Sequence, residues 1–217
     1  MAEQLHPLAQ RSAFWYGLLQ RATGVAISLK YNIDLQNGER LLPYKHEPFF
    51  LLPKHQSIVD IILEGKILRN FLNRPAYYVM KSETLDFYKL LGGIKITRPK
   101  DLALEKTREA IRRARDQRDQ VFDCVKQVYD AGEIVVIHPE GERHYKQSAP
   151  LNHAILMHLL KLQTKKEKIF VPLSIEYEEV NKFRSKIIAT LGNPLRTNSI
   201  LDLEEHLIKE INLVSRK

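Results

Sequence analysis

The sequence predicts an α/β fold: a single domain with a largely parallel or mixed sheet flanked by helices, preceded by an amphipathic helical segment. Short apolar runs alternate with helical patterns along most of the chain, as they do where strands and helices succeed one another. One of these runs, Ile134 to Ile137, follows the turn glycine Gly132 and is continuously apolar, as a buried parallel strand requires. The 217 residues suffice for one sizeable core, and no Gly/Ser/Pro-rich linker divides them. The division expected is an N-terminal helical segment over 1–31 and one domain over 32–217.

Taken in order, the first element is the apolar stretch 13–29, interrupted by Gln20 and Arg21 and slightly short for a membrane span. It lacks a basic leader and a cleavage site, so a signal peptide is not expected. An amphipathic helix carrying Phe14, Trp15 and Tyr16 either packs on the domain or lies in a membrane interface. Strands are expected at 49–52, 76–80, 94–97, 134–138, 169–175 and 187–191. Helices are expected at 57–72, 83–91, 101–131, 151–162 and 200–213. Pro172 cannot donate to a ladder and is expected at a strand end or an irregular edge.

Charge narrows the partners. The formal net charge of +8 favours anionic ones: nucleic acid, a membrane surface or a phosphorylated substrate. No RNA- or DNA-binding signature is present, and the aromatic residues do not interleave with basic ones as a base-stacking strip would, so nucleic acid is not expected. The arginines of 101–131 alternate with Glu109, Asp116 and Asp119, which suits a solvated helix face as well as lipid headgroups. Lys161, Lys165, Lys166 and Lys168 form a cleaner basic cluster, which a helix C-terminus also attracts. The single cysteine, Cys124, excludes an internal disulfide and reads as a buried helix residue.

The chemistry centres on Lys54-His55-Gln56-Ser57-Ile58-Val59-Asp60. In one helix, residues five apart point about 140° away from each other, so His55 and Asp60 meet only if the chain changes structure between them. A strand ending near His55 and a helix capped by Ser57, with Asp60 completing a capping-box-like pattern, supplies that change. An imidazole oriented by a carboxylate is a general base at neutral pH, and with no Gly-x-Ser-x-Gly elbow its proton donor is a substrate hydroxyl. The same spacing also suits an aspartate that only caps its helix. The second constellation, Pro139-Glu140-Gly141-Glu142-Arg143, follows the apolar run at the same kind of strand end. There Gly141 permits close backbone approach, Arg143 suits a phosphate, and Glu140 suits orienting that arginine or a hydroxyl. It is also an ordinary strand-to-loop turn.

These motifs resemble those of glycerolipid acyltransferases of the lysophosphatidic acid acyltransferase type. His55 to Asp60 is similar to the family's His-x4-Asp motif, and Val136 to Arg143 to its Phe-Pro-Glu-Gly-Thr-Arg motif. Gly92 to Arg98 resembles its glycine-containing strand ending in arginine, Lys81 falls where the family often has a lysine, and Phe170 to Ile175 resembles its proline-bearing apolar motif. The resemblance implies an acyltransferase without a covalent acyl-enzyme, with His55 as general base and Asp60 supporting it. It implies that Arg98 and Arg143 contact the acceptor phosphate and that Glu140, Gly141 and Lys81 help to form the acceptor site. The co-substrates implied are an acyl-CoA or acyl-carrier-protein thioester and a lysophospholipid-type acceptor, first of all 1-acyl-glycerol-3-phosphate, with no cofactor. The implied setting is peripheral, on the cytoplasmic face of an anionic membrane. Three positions depart from the family: Lys54 stands for an asparagine, His138 for a phenylalanine and Glu142 for a threonine. The same scaffold also suits a non-catalytic lipid-binding protein or an acyl-thioester hydrolase. His138, His144, His153 and His158 make no His-Glu-x-x-His arrangement, so no metal is expected.

Overall fold

In the computed structural model, the described residues are 8–9, 11–81, 88–89, 91–97, 107–143, 150–179 and 182–211. Six of the nine residues of the expected helix at 83–91 lie outside them, as do Arg98, His144, 101–106 of the long helix and the last two residues of the helix at 200–213. The chain opens with α1 (Ala13–Lys30), capped by the Ser12 hydroxyl, which accepts from the Trp15 N–H. It continues through β1 (Asn32–Gln36), a 3₁₀ segment (Gly38–Tyr44), β2 (Phe50–Pro53), α2 (Asp60–Leu72), β3 (Ala76–Lys81) and β4 (Gly93–Ile96). Then come α3 (Arg108–Asp130), β5 (Ile134–Val136), α4 (His153–Lys161), β6 (Ile169–Tyr177), β7 (Lys186–Leu191), β8 (Leu195–Arg196) and α5 (Ile200–Ile211).

Among the described residues these strands form one sheet in the order β1-β7-β6-β2-β5-β3-β4, with β8 also on β6. Every pairing is parallel except β6 with β7 and with β8. Alternation along the strands divides the core in two. Phe50, Leu52, Tyr77 and Val135 face one layer with Val121, Val125 and Tyr129 of α3, Leu156 of α4 and Leu207 of α5. Phe49, Leu51, Tyr78 and Val136 face the other, with Leu63 and Ile67 of α2 and Tyr16 and Ile27 of α1. The α/β fold expected from the sequence is the fold observed.

Local departures have local causes. β1 was not anticipated, because Asn-Ile-Asp-Leu-Gln is an edge strand with only partial burial and little apolar signal. Pro172 sits inside β6, in register with Leu52, rather than at a strand end or edge. Its carbonyl accepts from the Gly192 N–H at 3.0 Å, where the chain leaves β7 before re-pairing as β8. The missing donor therefore falls one position beyond the last β6–β7 pair, Leu173 with Leu191, where that ladder ends. Lys168 is buried rather than part of a surface patch: its Nζ donates to the carbonyls of Leu160 and Leu162 and closes the end of α4. Cys124 is buried, as expected, and burial pushes its thiol up to about 12, which leaves it unreactive.

The outer helix α1 lies on α2 at Gly65. A Cβ there would fall within 2.1 Å of the Gln20 amide, so a larger residue would displace the end of that side chain.

Candidate active site

Parallel pairing of β2 with both β5 and β6 brings three strand ends side by side, and the polar residues of interest converge on that edge. His55 lies two residues beyond β2, after Lys54, whose N–H donates to the Leu173 carbonyl at 2.9 Å and extends the pairing with β6. His138 and Glu140 follow β5, and Tyr177 ends β6. Lys81, exposed, ends the neighbouring β3 at the same edge.

The chain turns between His55 and Asp60 as the spacing demands, though the helix begins later than expected. α2 starts at Asp60 rather than Ser57, and its N-cap residue Val59 supplies no side-chain bond. Instead Asp60 reaches back: its Oδ2 accepts from the N–H groups of Gln56 and Ser57, each at 2.7 Å. This is the carboxylate half of a capping box, and the Ser57 hydroxyl accepts from the Val59 N–H at 3.3 Å rather than from Asp60. Asp60 Oδ2 also lies 3.0 Å from His55 Nδ1. Asp60 Oδ1 accepts the Tyr177 hydroxyl at 2.5 Å. Four donors thus fix a carboxylate that has no solvent exposure.

His55 is held from below as well. Glu140 Oε2 accepts the His55 backbone N–H at 2.7 Å. Glu140 is buried and holds the His55 backbone, where orientation of Arg143 or of a substrate hydroxyl was expected. Its own carboxyl is pushed up to about 8 by burial, against the opposing pulls of the His55 N–H and Lys54. Lys54, also fully buried, is lowered by desolvation while Glu140 and Glu176 draw it upward.

Sequence reasoning missed a second imidazole–carboxyl pair. Glu64, one turn after Asp60 on α2, places Oε1 3.0 Å from His138 Nε2. The His138 ring stacks on the His55 ring with centroids 3.9 Å apart and planes at 27°. The signal for Glu64 was present as an acidic residue on the otherwise apolar, core-facing side of α2. Tyr177 carries no local signal, since it meets Asp60 from 117 positions away.

Burial lowers the His55 imidazole, as would any charge on the facing His138, while the hydrogen bond and charge of Asp60 oppose them. The balance keeps the ring below its usual range and therefore free to accept a proton near neutrality. With Nδ1–H given to Asp60, the available lone pair is on Nε2. The ring remains partly open, with 15% of its side chain exposed.

Gly141 takes φ +72°, and a Cβ there would come within about 3 Å of Asn152 and Ile155, at the start of α4. Its glycine is needed to bend the loop and to admit α4. Arg143 is exposed and forms no ion pair among the described residues. Arg98 lies outside the described residues. Among the described residues no group of three or more His, Cys, Asp or Glu side chains is placed to hold a metal ion.

The fold is similar to that of the 1-acyl-sn-glycerophosphate (LPA) acyltransferase PlsC from Thermotoga maritima, with TM-score 0.60 and 14% identity over 89% of this chain and 75% of that one. No curated protein matches the sequence. Residues 32–175, which include both motif-bearing strand ends and β2 to β5 between them, match the family described as Acyltransferase. That match spans well over half of the chain, and the chain belongs to the Acyltransferase family.

Proposed function

We propose that this acyltransferase moves a fatty acyl group from an acyl-CoA or acyl-carrier-protein thioester to a hydroxyl of a lysophospholipid-type acceptor, first of all 1-acyl-glycerol-3-phosphate. The observation that carries the reading is the buried Asp60 carboxylate bonded to Nδ1 of a partly open His55. His55 Nε2 removes the acceptor proton as the hydroxyl oxygen attacks the thioester carbonyl. Asp60 holds the tautomer and stabilises the imidazolium, and collapse of the tetrahedral intermediate expels the thiolate, which takes up the proton. Glu140 fixes the backbone of the base. Arg143, exposed beyond the same loop, meets the acceptor phosphate together with Arg98, and Gly141 and Lys81 complete that side of the site.

The enzyme works peripherally, on the cytoplasmic face of an anionic membrane. Among the described residues no helix is long and apolar enough to cross one. Supporting a peripheral contact, Phe14, Leu18, Val25 and Leu29 of α1 are between 49% and 70% exposed and fall within one narrow stripe at helical spacing. In this reading 1–31 is the interfacial segment and 32–217 the catalytic domain.

The test is thiol release from long-chain acyl-CoA with lysophosphatidate, and the lipid product identified by mass spectrometry. His55→Ala is expected to lower kcat at least about 100-fold. Arg143→Ala is expected to raise KM for the phosphate-bearing acceptor about tenfold, with KM for the donor unmoved. Undiminished transfer by His55→Ala would overturn the mechanism, and acceptor-independent thiol release would mark a hydrolase.

A further inference from the structure

The Glu64–His138 pair has no part in the chemistry above, yet it is buried against the base. We propose that His138, held by Glu64, is a positioning residue for the reaction, laying an uncharged aromatic face on the His55 ring so that the imidazolium formed there is stabilised over that face. The inference rests on His55 acting as the base.

The arrangement of the rings decides between two roles for a second histidine. At 3.9 Å between centroids and 27° between planes, the rings meet face to face. Imidazole nitrogens donate and accept in the ring plane, so stacked rings do not hand a proton directly from one to the other. What passes between them is the interaction of a ring face with whatever charge its neighbour carries. Two imidazolium rings would repel, whereas an imidazolium over a neutral aromatic face is attracted.

The surroundings keep His138 neutral. His55 faces Asp60 and Glu64 from α2, His138 and Glu140 from the loop after β5, Lys54 from its own strand end, and Tyr177, behind Asp60, from β6. His138 faces Glu64, Asp60 and His55. Lys54 is drawn to Glu140 and Glu176. Glu64 has no solvent exposure, and its Oε2 is buried without a hydrogen-bond partner. A carboxylate with one bare buried oxygen is costly, whereas a protonated carboxyl leaves only a carbonyl oxygen unmet. The protonated form donates from Oε1 to His138 Nε2, which makes the imidazole an acceptor there and places its own proton on Nδ1. Burial, reinforced by the Asp60 carboxylate, raises Glu64 well above the usual carboxyl range, and burial brings His138 down to about 4 in spite of Asp60. Both directions agree with the hydrogen-bond argument.

Two measurements on the full chain test the proposal. In the first, the wild-type protein is labelled with ¹⁵N-histidine and followed by NMR from pH 5 to 8, with His138 assigned from the His138→Phe spectrum. A neutral His138 ring protonated on Nδ1 throughout is expected; titration of His138 to imidazolium in that interval would overturn the proposal. In the second, Glu64→Leu is combined either with His138→Phe or with His138→Leu. Both doubles remove the hydrogen bond and fill the space, but only the first keeps an aromatic face. The phenylalanine double is expected to have at least tenfold higher kcat, with similar KM values for both substrates. The leucine double is expected to show its acid limb in kcat/KM at lower pH, because His55 has lost support for its protonated form. Equal kcat and coincident pH profiles would sink the idea even if His55→Ala were inactive. Full activity in His55→Ala would instead overturn the general-base reading on which the proposal depends. If neither double folds, the wild-type spectrum decides.

Discussion

The Tyr177 hydroxyl donates to Asp60 Oδ1 at 2.5 Å, while the other oxygen of the same carboxylate serves His55. The phenol is pushed well above its usual range by burial and then by the Asp60 charge, so it remains a donor throughout the working range. It ties the end of β6 to the first residue of α2 and blocks rotation of the carboxylate away from the imidazole.

Tyr177→Phe is therefore expected to lower kcat about tenfold and stability by about 1–3 kcal/mol, the range for leaving a buried charged acceptor one partner short. Steady-state kinetics and urea unfolding measure the two effects. Unchanged kcat would show that the backbone donors of Gln56 and Ser57 suffice to orient Asp60.

Stability should depend on pH in part through Glu140 and His138, two buried groups whose contributions have opposite sign. Glu140 is raised from 4.5 to about 8, so between those values the folded chain holds a proton that the unfolded chain has released, and stability falls as pH rises. His138 is lowered from 6.5 to about 4, so in that interval the unfolded chain binds a proton that the folded chain refuses, and stability rises with pH. The two trends oppose each other up to pH 6.5, and above it the fall due to Glu140 is no longer offset by His138. Glu140→Gln, which keeps an acceptor for the His55 N–H, is expected to remove about 1–2 kcal/mol of the fall between pH 6.5 and 8. Denaturant midpoints across that range measure it, and identical slopes for both proteins would refute the assignment.

The exposed stripe on α1 makes a separable prediction. Leu18→Glu combined with Val25→Glu is expected to weaken binding to anionic vesicles at least tenfold, since each apolar side chain is worth roughly 1.5–3 kcal/mol when buried. Both positions are open to solvent, so thermal stability should hold. Vesicle sedimentation reads the first effect and calorimetry the second. Retained binding by the double variant would remove the stripe from the membrane contact.

The parts of this molecule that were legible in its sequence are those written in local pattern. The apolar run before His138 announces a buried strand, and the break between His55 and Asp60 follows from helix geometry alone. The start of α2 was placed three residues early because Ser57 and Asp60 both bond backbone N–H groups in the turn that precedes the helix. β1 was missed because a half-exposed edge strand leaves little periodic signal. Tyr177 and the Glu64–His138 contact depend on strand order, which no local window contains. Pro172 shows the same limit in reverse: a correct local rule gave an edge position, and the break between β7 and β8 satisfies that rule inside the sheet.

Glu64 and Gly65 are neighbours on α2, and their roles point in opposite directions. The first reaches inward to the ring stacked on His55, and the second faces Gln20 of α1. Asp60 and Glu64 lie one turn apart on the same helix, so the carboxyl groups that meet His55 and His138 share a single support rather than two independent ones.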